Sequence, residues 1–216
     1  MRETGLAHQA YVTIKNMIVG SELKPGQFIN ESQMMERLQM GRTPVHEALL
    51  ELSKDQLVKI HPRKGIEICQ VSLKKIHDIF EIREIIEPSI LRRTMEVLDK
   101  EKLIHMRDRF LVTMDCTALE TKEGIFNCVK LDDEFHRFLI SPLNNKYAEE
   151  MMDSFFDYLT MIRITVTSDA VRYPQSNTEH VELIDAILQG DREKACQKLQ
   201  EHLDTAYRVT IRNFGK

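Results

Sequence analysis

The stretch LDDEFHRFLI, residues 131–140, sets a carboxylate and an imidazole into what otherwise reads as an apolar helix. Around it Ile125, Val129, Asp132, His136 and Leu139 recur at steps of three or four, so all of them fall on one helical face. Lys130, Asp133, Glu134 and Arg137 turn largely elsewhere, which assigns Asp133 to the outside. The i, i+4 spacing lets Asp132 and His136 converge on one point. A carboxylate inside an apolar stripe needs a partner, because an isolated buried charge costs on the order of several kcal/mol. A hydrogen-bonded Asp–His pair would satisfy it, and so would a divalent metal. His180 leads Ile184 and Ile187 on the inward face of one later helix, and His202 lies between Leu199 and Ala206 on the inward face of the next. One carboxylate and three imidazoles on the inward faces of three helices are a transition-metal ligand set, suited to zinc, nickel, manganese or iron. His77 and His105 have no such partners in register and read as surface or packing residues.

A second set of residues suits nucleic acid. In GRTPVHEALLEL, Arg42, Thr43 and His46 lie at the start of a short helix, where a helix-turn-helix reaches base edges in the major groove. Arg42 carries the planar fork that matches guanine O6 and N7. Farther on, Pro62-Arg63-Lys64-Gly65 joins two β-prone pieces as a hairpin with a basic tip, and Arg63, Lys64 and Gly65 there could follow a phosphate path or be ordinary solvated positions.

The elements that must position these groups follow from punctuation. Gly20, Pro25, Gly26, Gly41, Pro44, Pro62 and Gly65 all precede residue 70, so short elements come first and long helices later. Leu6, Ala10, Ile14 and Ile18 form the stripe of a first helix, ESQMMERL fits a second, and a third begins near Thr43 as N-cap with Pro44 at the first helical position. Three small helices and a hairpin make a winged helix-turn-helix. From Ser72 onward about six amphipathic helices are expected, roughly 72–97, 100–119, 122–140, 145–167, 176–189 and 192–213, with breaks at Asp99, Ser141-Pro142, Tyr173-Pro174 and Gly190-Asp191. The fold class is therefore mainly α: a winged helix-turn-helix over residues 1–70 and an all-helical antiparallel bundle over 71–216.

Composition agrees with this division. Residues 1–70 hold 9 Lys/Arg against 8 Asp/Glu and the remainder 21 against 26, so a net +1 at the front gives way to −5 behind. The asymmetry permits a DNA-facing first part. Cys69, Cys116, Cys128 and Cys196 are widely spaced, which suggests neither a thiolate zinc site nor a disulfide framework. No apolar run approaches the roughly 20 residues of a membrane span, and the amino terminus lacks the apolar core of a signal peptide, so a cytoplasmic protein is expected.

The segment LKPGQFINESQMMERLQMGRTPVHEALLELSKDQLVKIHPRKGIEI resembles the amino-terminal domain of the GntR family of bacterial transcription regulators. The resemblance spans nearly all of residues 6–69, and its most specific part is Arg42-Thr43-Pro44-Val45-x-Glu47-Ala48-Leu49. This chain departs from the family pattern at His46, where Arg is usual, at Gly41, where Ser is usual, and at Gln39, where a turn glycine is common. His46 is shorter and only partly charged near neutrality, so its contact with DNA would differ. Residues 72–213 resemble the all-helical carboxyl-terminal domain, the FCD domain, of the FadR-like branch, through DDEFHRFL, EHVELIDAILQGDREKA and QEHLDTA. That resemblance implies a metal held by Asp132, His136, His180 and His202 at the floor of an effector pocket. It further implies that Arg83, in IFEIREIIEP, helps bind a carboxylate effector. Arg83 shares a face with Phe80, Ile86 and Ile90, and its alternative role is an ion pair with Glu87 or another acid. Arg163, beside Leu159 and Val166, is a second pocket candidate.

The function expected is a transcription regulator, not an enzyme. Its operator affinity would be controlled by a small organic acid bound at a divalent metal, and a homodimer would read two-fold-related half-sites. One alternative keeps the DNA-binding domain and makes the metal purely structural. The other is a metal-dependent hydrolase, to which His77-Asp78 would supply an HD dipeptide, but no earlier histidine stands in a helical partner position.

Overall fold

The computed structural model describes residues 2–114, 121–166 and 172–214; Cys116 and the remote ends of the helices expected over 100–119 and 145–167 lie outside them. The chain divides into two compact units, Met1–Val71 and Ser72–Lys216.

In the first unit α1 (Arg2–Val19) packs on α3 (Arg42–Lys54), with α2 (Glu31–Leu38) against α3 as well. The buried stripe of α1 is Ala7, Ala10, Ile14 and Ile18, while Leu6, expected inside, is exposed. Helix α2 starts at a capping box, in which the Asn30 side chain accepts from the Gln33 backbone N–H and the Gln33 side chain accepts from that of Asn30. It ends at Gln39, whose φ of 53° lies in the left-handed region that glycine occupies without cost. Helix α3 begins two residues earlier than the proline suggests. Gly41 is its N-cap with no side-chain cap, so Thr43 and Pro44 stand inside the first turn, where an N–H lacks an intrahelical acceptor anyway.

The wing is a three-stranded antiparallel sheet in the order β1-β3-β2, from β1 (Phe28–Ile29), β2 (Val58–His61) and β3 (Gly65–Ile68). Gly65 opens β3 at φ 104°, and a Cβ there would lie 2.8 Å from the Ile29 carbonyl oxygen. Only glycine lets β1 close onto the hairpin at that point.

The second unit is all helical: α4 (Leu73–Thr94), α5 (Lys100–Val112), α6 (Lys122–Ile140), α7 (Lys146–Val166), α8 (Arg172–Leu188) and α9 (Arg192–Asn213). Ser72 caps α4, Asp99 caps α5 by accepting from Glu101 and Lys102, Thr121 caps α6, and Asp191 caps α9. Helix α8 starts at Arg172 rather than after Pro174, because a proline in the first turn removes no intrahelical bond. Its extra turn matters below. Helices α4 and α9, α8 and α9, α5 and α8, and α6 and α7 pack pairwise around a core that includes Phe110, Phe135, Leu139, Leu183 and Leu199. No described helix is long and apolar enough to cross a membrane.

Candidate metal centre and nucleic-acid interface

Asp132 and His136 project from α6, His180 from α8 and His202 from α9, and their ligand atoms all lie within 4.8 Å of one another. His136 Nε2 stands 3.3 Å from His202 Nε2 and 3.5 Å from His180 Nε2. Asp132 Oδ1 is 3.4 Å from His180 Nε2, and its Oδ2 is 4.0 Å from His136 Nε2. Metal–nitrogen bonds of about 2.0–2.1 Å around a tetrahedral ion would separate ligands by roughly 3.3–3.4 Å. The imidazole separations fall close to that, and the carboxylate has room to close in.

The proton inventory points the same way. His136 Nδ1 lies 2.7 Å from Glu87 Oε2, and His202 Nδ1 lies 2.7 Å from Glu179 Oε2. A carboxylate beside Nδ1 fixes the N–H there, which turns the Nε2 lone pair inward. Such lone pairs cannot satisfy one another by hydrogen bonds, whereas a cation between them can. The His180 ring is held by stacking on Phe110 at 4.5 Å between centroids and by an edge contact with Phe135 at 5.2 Å, while its Nδ1 has no hydrogen-bond partner. Burial, with His202 next in weight, keeps His180 well below the usual histidine range, and burial also lowers His202, so both imidazoles are neutral and able to ligate. Burial would raise the Asp132 carboxyl, but Arg163 and then the three histidines outweigh it and hold it well below the ordinary carboxylate range. Glu87 is likewise driven to about 2, with burial opposed by Arg83 and His136. One anionic carboxylate and three imidazoles, two of them braced by acids, fit a divalent transition metal.

A cavity opens beside this cluster. Asp132 and His202 form part of its wall, together with Cys128 and Val129 of α6 and Arg163 of α7. Helix α8 adds Arg172, Tyr173, Ser176 and Asn177, and α9 adds Ala206, Val209 and Thr210. Arg163 Nη1 lies 2.6 Å from Asp132 Oδ2 and 3.0 Å from Asp133 Oδ1. Arg172 grips Glu179 with two hydrogen bonds of 2.7 and 2.8 Å, so it braces the acid that braces His202. Tyr173 is pushed up to about 12 by burial, which makes its hydroxyl a neutral group.

Two expectations need correction. Asp133 is buried, not outside: it accepts hydrogen bonds from Thr160 and Arg163 of α7. Helix α6 is covered on one side by α4 and α5 and on another by α7, so a single 100° step does not reach water. Arg83 does not line the cavity. Its side chain is 0% exposed, its Nε donates to Glu87 Oε1 at 2.5 Å, and its guanidinium lies 5.5 and 5.3 Å from the Phe80 and Phe156 ring centroids. The i, i+4 acid captures it, and Nη1 and Nη2 are left without hydrogen-bond partners.

The residues expected to read DNA stand together and open to water in the first unit. Arg42, Thr43, His46 and Glu47 line a shallow concavity at the start of α3. Glu31 of α2 lies 3.4 Å from Arg42 Nε and 2.8 Å from His46 Nδ1, although these two side chains remain 78% and 56% exposed. Arg63 and Lys64 are exposed at the wing tip, with Arg63 at φ 65° and Gly65 completing the turn. Sequence reasoning missed Glu31, Glu179, Arg172 and Tyr173, and named Glu87 only as the alternative partner of Arg83. A signal existed for Glu87 in its spacing from Arg83. None existed for Glu179, whose partner His202 lies on another helix.

A winged helix-turn-helix with an exposed start to α3, joined in one chain to an all-helical unit with an internal cavity, is the architecture of a DNA-binding transcription regulator. Residues 6–68 match the family described as bacterial regulatory proteins, gntR family, and residues 78–205 match the FCD domain. The chain belongs to the GntR family and carries an FCD domain. It is similar to the HTH-type transcriptional regulator YdhC of Bacillus subtilis, 25% identical over 202 residues that cover 91% of this chain and 87% of that one. In fold it matches E. coli McbR/YncC with a TM-score of 0.82 at 19% identity, over 97% of this chain and 99% of that one. Its FCD domain resembles the Zn2+-bound FCD domain of TM0439, 27% identical, TM-score 0.55, over 67% of this chain and 97% of that one. These domains and relatives are those of transcription regulators, not enzymes.

Proposed function

We propose that this regulator binds its operator as a homodimer and that a small carboxylate, bound beside a divalent metal at Asp132, His136, His180 and His202, sets its affinity for DNA. The observation that carries the reading is the convergence of three Nε2 atoms and one carboxylate at the wall of a cavity lined by Arg163 and Arg172. A divalent ion there would supply open coordination positions for a carboxylate. The Zn2+ bound by the TM0439 domain favours zinc among zinc, nickel, manganese and iron. Glu87 and Glu179 hold His136 and His202 in the ligating tautomer, and Arg163 keeps Asp132 anionic and oriented. Arg83 acts as a positioning residue through Glu87, while Arg163 and Arg172 offer guanidinium groups to the effector.

On the DNA side, Arg42, Thr43 and His46 read base edges, and Arg63, Lys64 and Gly65 of the wing follow the backbone. Paired winged helices suit two-fold-related half-sites, and such a partner places the protein in the cytoplasm. Effector changes DNA affinity only to the extent that two arrangements of the helical unit bind it differently. The test is a panel of small carboxylates added to metal-loaded protein, read by melting temperature and by operator affinity. At least one acid is expected to raise the first and change the second. No change across the panel would support a purely structural metal instead.

A further inference from the structure

The α8 wall of the cavity has a distinctive order. Tyr173, Ser176, Asn177 and His180 follow at i, i+3, i+4 and i+7, which is a single stripe of one helix. From the metal-ligating imidazole, the stripe runs about 10 Å along the helix axis to the Tyr173 position at 1.5 Å per residue. It presents an amide, a hydroxyl and a phenol in succession. The walls from α6 and α9 contribute the aliphatic side chains Val129, Ala206 and Val209 to the same cavity. A ligand lying there meets one polar edge and one apolar edge.

Tyr173 makes the argument specific. The residue lines the cavity and is only 8% exposed, and its buried hydroxyl has no hydrogen-bond partner. A buried hydroxyl left unsatisfied destabilises the fold, and a chain that needed only the ring for packing against Cys128 and Val129 would do better with phenylalanine. Asn177 donates its amide N–H to Thr113 Oγ1 at 3.0 Å, which leaves its carbonyl oxygen as an acceptor. A donor–acceptor phenol and an amide acceptor on the metal's own helix suit a ligand hydroxyl.

We infer that the effector is a hydroxylated carboxylic acid, with its carboxylate at the metal and arginine end and a chain hydroxyl hydrogen-bonded to Tyr173 Oη. The inference rests on the carboxylate-effector reading above and narrows it. A site built to pair a hydroxyl discriminates against the analogue that lacks it, because the protein's own polar group is then left unpaired.

Metal-loaded full-length protein is titrated with matched pairs, lactate and propionate, malate and succinate, gluconate and hexanoate, with melting temperature and dissociation constant as readouts. The hydroxylated member of at least one pair is expected to bind about tenfold more tightly than its partner, the worth of one net hydrogen bond. Tyr173→Phe is expected to melt no lower than wild type, to bind the unhydroxylated acid as before, and to lose the preference. If acids bind but no pair is discriminated, or the preference survives in Tyr173→Phe, the inference fails and the effector reading stands. If no acid of either kind binds, both fail.

Discussion

In the amino-terminal unit Arg42 and His46, the side chains proposed to read DNA, share one acid, Glu31, and stay open to water at 78% and 56% exposed. In the carboxyl-terminal unit Arg83 and Glu87 are 0% and 1% exposed, and Arg163, Asp132 and Asp133 are nearly as enclosed. The first arrangement leaves Arg42 and His46 weakly held, so in the proposed complex a phosphate or guanine edge would displace Glu31 at little cost. The second pairs these charges with one another inside the protein, which holds the Asp132–His136–His180–His202 cluster in shape. One unit keeps its charges available to another molecule, and the other uses them to hold a site in shape.

Matched substitutions separate the two. Glu87→Gln leaves the Arg83 guanidinium buried without its counter-ion and is expected to destabilise the helical unit by about 3 kcal/mol or more, measured by denaturant unfolding of metal-free protein. Glu31→Gln is expected to change stability by less than about 1 kcal/mol. Equal costs would break the comparison. Next in size, Arg42→Ala is expected to lose about 1–3 kcal/mol of operator affinity while much of the nonspecific binding and all of the metal remain, as read by titration at fixed salt. Operator affinity equal to wild type would remove Arg42 from base reading. The smallest effect is local: Gln39→Gly relieves a left-handed residue at φ 53° and is expected to stabilise the first unit by about 0.5–1 kcal/mol, seen as a raised unfolding midpoint with unchanged metal content.

Much of this was legible in the residues. Spacing alone put Asp132 and His136 on one face, and the inward stripes of the later helices put His180 and His202 opposite them, because helical period and burial are local properties. Reading Asp133 as outside failed because α6 is covered on two sides, a tertiary fact that no single-helix pattern contains. Arg172 and Tyr173 were lost with the turn taken for a break at Pro174, although proline in a first turn is compatible with a helix. Glu179 was invisible for another reason. It sits next to His180 in sequence but braces His202, and only the packing of α8 on α9 makes that pair.

The metal centre can be tested without knowing the effector or the operator. Elemental analysis of wild type, His180→Ala and His202→Ala, purified side by side, is predicted to find about one divalent transition-metal ion per chain in wild type and far less in both variants. Unchanged stoichiometry in both variants would contradict the assignment of the four ligands.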